Sequence, residues 1–236
     1  MRSFFIWNGV DCRSKGVFLS GPPSILRGEE RVQHITIPGM AGELTQTEGD
    51  DIYNSYIQTL TLNVRGGARV REILAWLRGT GYVTFSSEPD RRQKARVIGA
   101  VTLDRHSVNM DIYSGEVQFY CEPFKERLSE QPVTVSSSGV TVYNGGDVKS
   151  KPKITATASS TTVSVSAGGN TLTIAGVTSG NAYVIDCKTE IITNSTGTEN
   201  VTSKSSGKFP VLDPGDNAVT GSGWSSLEID RRERFL

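Results

Sequence analysis

Strict alternation of apolar and polar residues marks several segments in the first half of the chain. In YIQTLTLNV, alternate side chains from Tyr56 to Val64 fall on one face of a predicted strand, with Ile57 and the threonines on the other. GEVQFYCEPF alternates in the same way, and we expect this strand to end at Pro123, because proline cannot donate to a ladder. Both segments predict half-buried β-strands.

The segment RVQHITIPGMAGELTQTEGDD combines a strand pattern with a polar stretch. Val32, Ile35 and Ile37 are its apolar candidates, and we expect the strand to stop at Pro38-Gly39. The residues that follow are small and polar, which is typical of a long hairpin or loop rather than of a core element.

One segment has a helical period instead. GGARVREILAWLRGTG places Val70, Ile73, Leu74 and Leu77 at helical spacing, and Gly79 stands where a C-terminal cap glycine is expected. A helix near residues 68–78 is therefore predicted, with its apolar stripe packed on the core of its own domain.

From about residue 134 the pattern changes to short alternating strands separated by Gly, Ser and Asn turns. Turn signals roughly every eight to twelve residues are typical of a β-sandwich. The chain is therefore predicted to be mainly β, with two domains. Residues 1–133 form an N-terminal sandwich or barrel-like domain with one α-helix, and residues 134–236 form a C-terminal β-sandwich.

Composition and charge narrow the function classes. The 236 residues carry no formal net charge, and the sequence pI is about 6.7, whereas proteins that hold nucleic acid by neutralising phosphates usually have a basic excess. We therefore expect no sequence-specific nucleic-acid binding. No stretch reaches transmembrane length, and the apolar run Phe4–Trp7 is too short for a secretory signal, so we expect folding in a cytoplasm.

Residue types that carry catalysis or bind metals are sparse. His34 and His106 lie in different β segments, and no HExxH, nucleophile-elbow, P-loop or dinucleotide fingerprint is present. Cys12, Cys121 and Cys187 are far apart and are interpreted as buried free thiols. We predict no enzyme activity, no catalytic residue, no metal and no cofactor. A hydrolase has no motif to support it.

Four charged clusters have more than one interpretation, and in each case the structural interpretation is favoured. Glu48, Asp50 and Asp51 are interpreted as a loop tip, and Glu228 with Asp230 as a surface ion-pair face, rather than as paired catalytic carboxylates. DRRQKAR is interpreted as a solvated turn entering a strand, with a phosphate or subunit contact as alternatives. DPGD fits a type II turn, because it lacks the alternating oxygens of a calcium loop.

Several of these stretches, in this order along the chain, resemble the distal tail protein (Dit) family of long-tailed phages. WNGVDCRSKGVFLSGPPSI resembles the opening of that family and ITIPGMAGEL resembles its Pro-Gly-x-x-Gly segment. VYNGGDVKSKPKITAT resembles the entry into its C-terminal sandwich, and FPVLDPGDNAVT with WSSLEIDRRERFL resembles its end. The resemblance covers nearly the whole chain.

The resemblance implies a structural protein of a phage or prophage tail tip. It implies a homohexameric ring, built by the N-terminal domain, that joins the tail tube protein to the tail-associated hub protein around a channel for DNA. It also implies a galectin-like C-terminal sandwich that holds receptor-binding or baseplate proteins. No membrane partner is implied, and the expected location is the virion tail tip after assembly in the host bacterial cytoplasm.

Ring closure is expected to involve the predicted hairpin over Ile37–Tyr53. This segment is too long and too rich in small residues to be core, so it is suited to contact a neighbouring subunit. The candidate contact residues are Met40, Gly42, Glu43, Leu44 and Gln46.

A carbohydrate-binding module that attaches to the host cell surface is the alternative function. Sugar sites stack pyranose faces on exposed aromatic rings, and the C-terminal domain has few aromatic residues. Trp224, which follows TGSG, is the candidate sugar contact.

Overall fold

A computed structural model describes residues 3–47, 49–106 and 111–236. The chain divides into two compact units, Met1–Leu128 with Leu236, and Ser129–Phe235. Strands dominate both units, and one α-helix occurs within the described ranges, so the predicted mainly β fold with one helix is confirmed. None of the described helices is long and apolar enough to span a membrane.

The N-terminal unit contains nine strands and the helix. They are β1 Phe5–Trp7, β2 Val10–Asp11, β3 Val17–Leu19, β4 Val32–Thr36, β5 Glu43–Thr47, β6 Tyr56–Arg65, α1 Val70–Trp76, β7 Thr80–Phe85, β8 Arg91–Arg105 and β9 Ile112–Arg127. Seven of the strands pair antiparallel in the order β2-β1-β7-β8-β9-β6-β3. The strands β4 and β5 pair with each other as a separate two-stranded sheet.

The turn of the first hairpin and the C-terminal end of the helix have the glycines that the sequence predicts there. Asn8 and Gly9 join β1 to β2 with φ values of 50° and 79°, the conformation that Asn-Gly favours in a two-residue hairpin. A 3₁₀ turn at Gly67–Arg69 leads into α1, and Gly79 has a φ of 78° after the helix ends. The helix is shorter than the predicted span at both ends, because its first turn is 3₁₀ and because Leu77, with a ψ of 73°, leaves the helical conformation.

Alternation places one face of the large sheet on the core of the N-terminal unit. Leu60, Leu62 and Val64 of β6 are buried, as the pattern of YIQTLTLNV predicts. Val117, Phe119 and Cys121 are buried in β9, and Ile73 and Leu77 bring the helix onto the same core. Trp76 stacks on Phe5 with 5.7 Å between ring centroids, so it packs against its own unit.

The prediction that β9 ends at Pro123 is wrong. The strand continues through this residue because Pro123 lies at a bulge in the β8–β9 ladder. Ala95 pairs with Cys121 and Gln93 pairs with Lys125, so three residues of β9 face a single residue of β8. A proline removes no ladder hydrogen bond where the ladder is already interrupted.

The C-terminal unit contains eleven strands. Ten of them form two five-stranded sheets, and the last, β20, is only two residues long. They are β10 Val133–Val135, β11 Val140–Asn144, β12 Lys153–Ala158, β13 Thr162–Ala167, β14 Asn170–Ala175, β15 Ala182–Asp186, β16 Ile191–Asn194, β17 Ser205–Gly207, β18 Gly215–Ser222, β19 Trp224–Asp230 and β20 Arg234–Phe235. The sheet orders are β10-β19-β12-β15-β16 and β11-β18-β13-β14-β17. Buried residues of both sheets form one core cluster, so the predicted β-sandwich is confirmed.

The DPGD stretch forms the turn that leads into β18. Gly215 has a φ of 90°, which the third position of a type II turn requires. The side chain of Asn217 donates to the carbonyl oxygens of Asp213 and Gly215 at 2.7 and 2.9 Å and accepts from the Asp213 amide at 2.8 Å. These hydrogen bonds hold a bend at Pro214, but Gly215 and Asp216 already pair with β11, so the type II turn itself stays a prediction.

Candidate assembly surface

The predicted subunit-contact residues belong to a regular hairpin formed by β4 and β5. The register pairs Ile35 with Leu44 and Gln33 with Gln46, and the register partners of an antiparallel pair share a face. We call this face, together with Ile37 immediately after the end of β4, the apolar hairpin face. Glu43 lies on the opposite hairpin face.

The turn of this hairpin is set by Pro38 and Gly39. The amide of Met40 donates to the carbonyl oxygen of Ile37 at 3.1 Å, and Gly39 has a φ of 83°. Proline at the second turn position and a left-handed glycine at the third are the features of a type II turn. Gly42, with a φ of 90°, then leads the chain into β5.

The apolar residues of the hairpin are exposed. The exposed fractions are 38% for Ile35, 41% for Ile37, 50% for Met40 and 47% for Leu44. Ile35 and Ile37 therefore do not pack into a core, although the alternation of RVQHITIPG made them candidates. The physical reason is that β4 and β5 form a two-stranded sheet of their own, and no second layer among the described residues covers either face of this hairpin.

The base of the hairpin is attached to the unit by backbone pairing. Glu30 and Tyr53 form an isolated bridge, the Arg31 amide donates to the Ile52 carbonyl oxygen at 2.9 Å, and the Asn54 amide donates to the Glu29 carbonyl oxygen at 2.7 Å. The hairpin therefore begins and ends at a defined place on the unit, while its distal strands are exposed.

The structure brings the named contact residues together, but on different faces of the hairpin. Leu44 and Gln46 lie on the apolar hairpin face, whereas Glu43 lies on the other, where its Oε2 is 3.6 Å from Nδ1 of His34. Pairing with β4 adds Ile35, which the sequence analysis did not select as a contact. No local signal fixed this register, because six residues separate the paired Thr36 and Glu43. Subunit contact by these residues stays a prediction.

The basic run DRRQKAR forms the turn and start of β8, as the favoured interpretation states. Three of its basic residues form ion pairs with glutamates. Arg91 lies 3.0 Å from Glu88, Arg92 lies 3.3 Å from Glu126, and Lys94 lies 2.7 Å from Glu122. The charges of these three residues are balanced within the unit. Gln93 points inward and accepts a hydrogen bond from the Tyr56 hydroxyl at 3.0 Å.

The other carboxylate candidates form no metal cluster. Across residues 3–47, 49–106 and 111–236, no group of three or more His, Cys, Asp or Glu side chains is placed to hold an ion. Glu48 lies outside the described residues. Asp230 lies 4.0 Å from Arg232, and Glu228 is exposed on β19.

The three cysteines are free and buried. Burial raises the pKa of the Cys121 thiol and of the Cys187 thiol to about 12. Both thiols are therefore protonated at neutral pH, and neither supplies a thiolate nucleophile.

In the C-terminal unit, Trp224 is partly buried against the sandwich core. Its Nε1 donates to the carbonyl oxygen of Ser164 at 3.1 Å, so the polar atom of the indole is satisfied within the unit. Its role as a sugar contact stays a prediction. The most exposed aromatic ring in this unit is Tyr143 on the edge strand β11, with 60% of its surface accessible.

The same unit has an open cleft of about 380 Å³ at converging loops. The residues that line the cleft are Lys151, Asn170, Cys187, Glu190, Gly207, Lys208, Phe209 and Val211. Amines, a carboxylate, an amide and one aromatic ring are the groups that bind polar small molecules.

No protein-family model matches the chain, and no curated protein matches it. Among solved structures, the chain is similar to the crystal structure of the Dit protein (gp 19.1) of phage SPP1, described as a paradigm of the hub adsorption apparatus of phages that infect Gram-positive bacteria. The TM-score is 0.82 at 17% identity, and the match covers 100% of both chains. A chain of the phage p2 baseplate in its activated conformation matches with a TM-score of 0.48 at 10% identity over 97% of each chain.

The full-length match confirms, at the level of the fold, the resemblance to distal tail proteins stated from the sequence. Both units contribute, because the match leaves no part of the chain uncovered. The chain thus has a Dit-like fold.

Proposed function

We propose that this protein is a structural component of the tail tip of a long-tailed phage or prophage. It acts as a hub that joins the tail tube protein to the tail-associated hub protein and to receptor-binding or baseplate proteins. The observation that carries this proposal is the Dit-like fold over the whole chain, since the matched SPP1 protein is described as part of a hub adsorption apparatus.

The hub is proposed to be a homohexameric ring with a central channel for DNA. Residues 1–133 close the ring and residues 134–236 form the outer, galectin-like domain. The exposed hairpin supports this arrangement, because an exposed two-stranded sheet with four large apolar side chains is a contact surface that one copy leaves uncovered.

Native mass and the shape of the particle test this proposal. The purified protein is measured by light scattering after size exclusion, and the same peak is imaged by negative stain. We expect a species of six times 25.5 kDa that appears as rings with a central hole. A smaller species at every concentration, with the tube and hub partners present as well, contradicts the proposal.

A deletion tests the part assigned to the hairpin. Removal of residues 41–50 takes away β5 and leaves the core of the N-terminal unit intact, so folded monomers are expected. Circular dichroism and thermal unfolding verify the fold. Rings that persist in the deletion variant contradict ring closure by the hairpin.

The second candidate function is carbohydrate binding by the C-terminal unit, favoured by the polar cleft and by the exposed Tyr143. Binding to a glycan array, lost in Lys208→Ala or Phe209→Ala, supports it. Trp224→Ala and Tyr143→Ala test the two aromatic candidates. An array without signal for the wild-type protein excludes the saccharides displayed on it as ligands.

A further inference from the structure

The open cleft of the C-terminal unit lies where four loops of the sandwich converge. Its lining comes from the segment before β12, the β13–β14 turn, the β15–β16 turn and the segment after β17. These loops belong to both five-stranded sheets, so the cleft is at one end of the sandwich. Its volume of about 380 Å³ is within the range of about 300 to 1,000 Å³ that is usual for small-molecule sites.

Hydrogen bonds of the chain itself fix the rim of the cleft. The side-chain amide of Asn170 donates to the Phe209 carbonyl oxygen at 3.0 Å, which ties the segment after β17 to the start of β14. On the other side, the Cys187 amide donates to the Pro152 carbonyl oxygen at 3.1 Å, which ties the β15–β16 turn to the segment before β12. A cleft with a fixed rim loses little conformational freedom when a ligand binds.

Two lysines of the lining carry charges that the unit does not balance. Lys151 and Lys208 are exposed, and neither makes an ion pair within the residues that the structure describes. Lys149 and Lys204, their neighbours in sequence, do have acidic partners, at 3.6 and 3.2 Å. Ammonium groups donate strong hydrogen bonds to phosphate and carboxylate oxygens, so two of them on one cleft favour an anionic ligand.

The remaining polar lining adds one negative charge. Glu190 is exposed in the β15–β16 turn and also lacks an ion pair in the described ranges. Cys187 is buried, and burial raises the pKa of its thiol to about 12, so this thiol is neutral at pH 7. The charges of Lys151 and Glu190 act on the same thiol in opposite directions, which places both side chains near it. The cleft therefore has two positive charges against one negative charge.

Phe209 gives the cleft an apolar surface. It is partly buried, and it packs against the core of the sandwich, so its ring is supported from behind. A supported aromatic ring is suited to stack on the face of a pyranose, and a carboxylate such as that of Glu190 accepts hydrogen bonds from sugar hydroxyl groups. The same cleft thus combines the groups that bind a sugar ring with two cations that a neutral sugar does not require.

From these observations we infer that the cleft binds an anionic saccharide, one that carries a phosphate or carboxylate group. Lys151 and Lys208 bind the anionic group, Phe209 contacts the ring, and Glu190 accepts from hydroxyl groups. This inference rests on the second candidate function, carbohydrate binding by the C-terminal unit, and it names the chemical class of the ligand and the residues that select it.

Calorimetric titration of the full chain tests the ligand class. Glucose 1-phosphate, glucose and inorganic phosphate are the probes, at low ionic strength and millimolar concentrations. We expect glucose 1-phosphate to bind at least about tenfold more tightly than either of the others. Equal affinity for glucose and glucose 1-phosphate overturns the anionic class, and equal affinity for phosphate and glucose 1-phosphate overturns the saccharide. No detectable binding of glucose 1-phosphate overturns the inference as a whole.

Variants test whether binding occurs in the cleft. Lys151→Ala and Lys208→Ala are each expected to raise the Kd for glucose 1-phosphate about fivefold or more. Lys204→Ala is the matched control, because Lys204 is exposed but outside the lining and pairs with Glu199, and its Kd should equal that of the wild type. Thermal unfolding verifies that all three variants keep the fold. Wild-type affinity in both cleft variants, or the same loss in Lys204→Ala, contradicts the inference.

The glycan array of the second candidate function separates the two failures. Each phosphorylated or carboxylated saccharide is printed beside its neutral parent, and we expect signal from the charged members. Signal from neutral saccharides alone contradicts the inference and leaves carbohydrate binding in place, whereas an array without signal counts against both. The native mass that tests the tail-tip hub does not depend on any of these outcomes.

Discussion

Two hairpins of this molecule share their local design and differ in what covers them. The β13–β14 hairpin turns at Gly168-Gly169 and the β4–β5 hairpin turns at Pro38-Gly39. In β13–β14 the apolar side chains Val163, Val165, Leu172 and Ile174 are at most 1% exposed. In β4–β5 the four large apolar side chains are between 38% and 50% exposed.

The difference teaches that alternation predicts a strand but does not decide whether its apolar face is covered. The β13–β14 hairpin has a second sheet of the same unit opposite it, and the residues of both sheets share one core. The β4–β5 hairpin has no such sheet within the described residues of its unit. In our account a second copy of the chain supplies the missing layer.

The largest effect expected from this comparison is on stability. Leu172→Ala leaves a cavity in the sandwich core and should lower the free energy of unfolding by about 2 to 5 kcal/mol. Leu44→Ala removes the same atoms from an exposed site. It should change the free energy of unfolding of the monomer by less than about 0.5 kcal/mol. Urea unfolding of both variants checks the pair. Equal losses would show that the β4–β5 hairpin is packed within one copy.

A smaller effect, dependent on pH, is expected in the sandwich. The Arg232 guanidinium donates to both carboxylate oxygens of Asp186, at 2.7 and 3.0 Å, and lowers the pKa of that carboxyl from 3.8 to about 2. A lowered pKa stabilises the folded state above pH 3.8, and this contribution is lost as the pH falls through about 2. Asp186→Asn should therefore cost about 1 to 2 kcal/mol at pH 7, after allowance for solvent screening.

The control for this prediction is Asp216→Asn, because Asp216 is exposed on β18 and should affect the free energy of unfolding little. The difference in the free energy of unfolding between Asp186→Asn and the wild type should become smaller when unfolding is measured near pH 2. A difference that is constant from pH 7 to pH 2 would show that the ion pair is not its cause.

The smallest effect concerns the turns. Gly39 and Gly169 have φ values of 83° and 75°, and at both positions the space that a Cβ would occupy is open, with no heavy atom within 4 Å. Alanine therefore costs mainly backbone strain, about 1 kcal/mol at each position. Gly169→Ala should lower global stability by that amount, since β13–β14 unfolds with the sandwich. Gly39→Ala should leave urea unfolding unchanged and should speed amide exchange in β4 and β5. A global loss of stability in Gly39→Ala, or amide exchange unchanged in β4 and β5, would contradict this.

Much of the fold was predictable because the signals are local. The alternation in β6, the helical stripe with Ile73 and Leu77, and the Asn8-Gly9 turn each depend on residues close in sequence. The passage of β9 through Pro123 was not predictable, since the bulge that accommodates it is a property of pairing with β8.

The candidate surface was predictable only in part. The length and the small residues of the segment around Gly42 indicated a contact surface, and Leu44 and Gln46 lie on the apolar hairpin face. Ile35 was only an apolar candidate of a predicted strand, and its exposure depends on the separate sheet that β4 forms with β5.

The central claim is that the apolar hairpin face is a contact surface for another copy of the chain. The most direct measurement is the native mass of the wild type beside Leu44→Asp, by light scattering at matched concentrations. We predict a ring of six copies for the wild type and a folded monomer for Leu44→Asp. The same assembly in both proteins would contradict the claim.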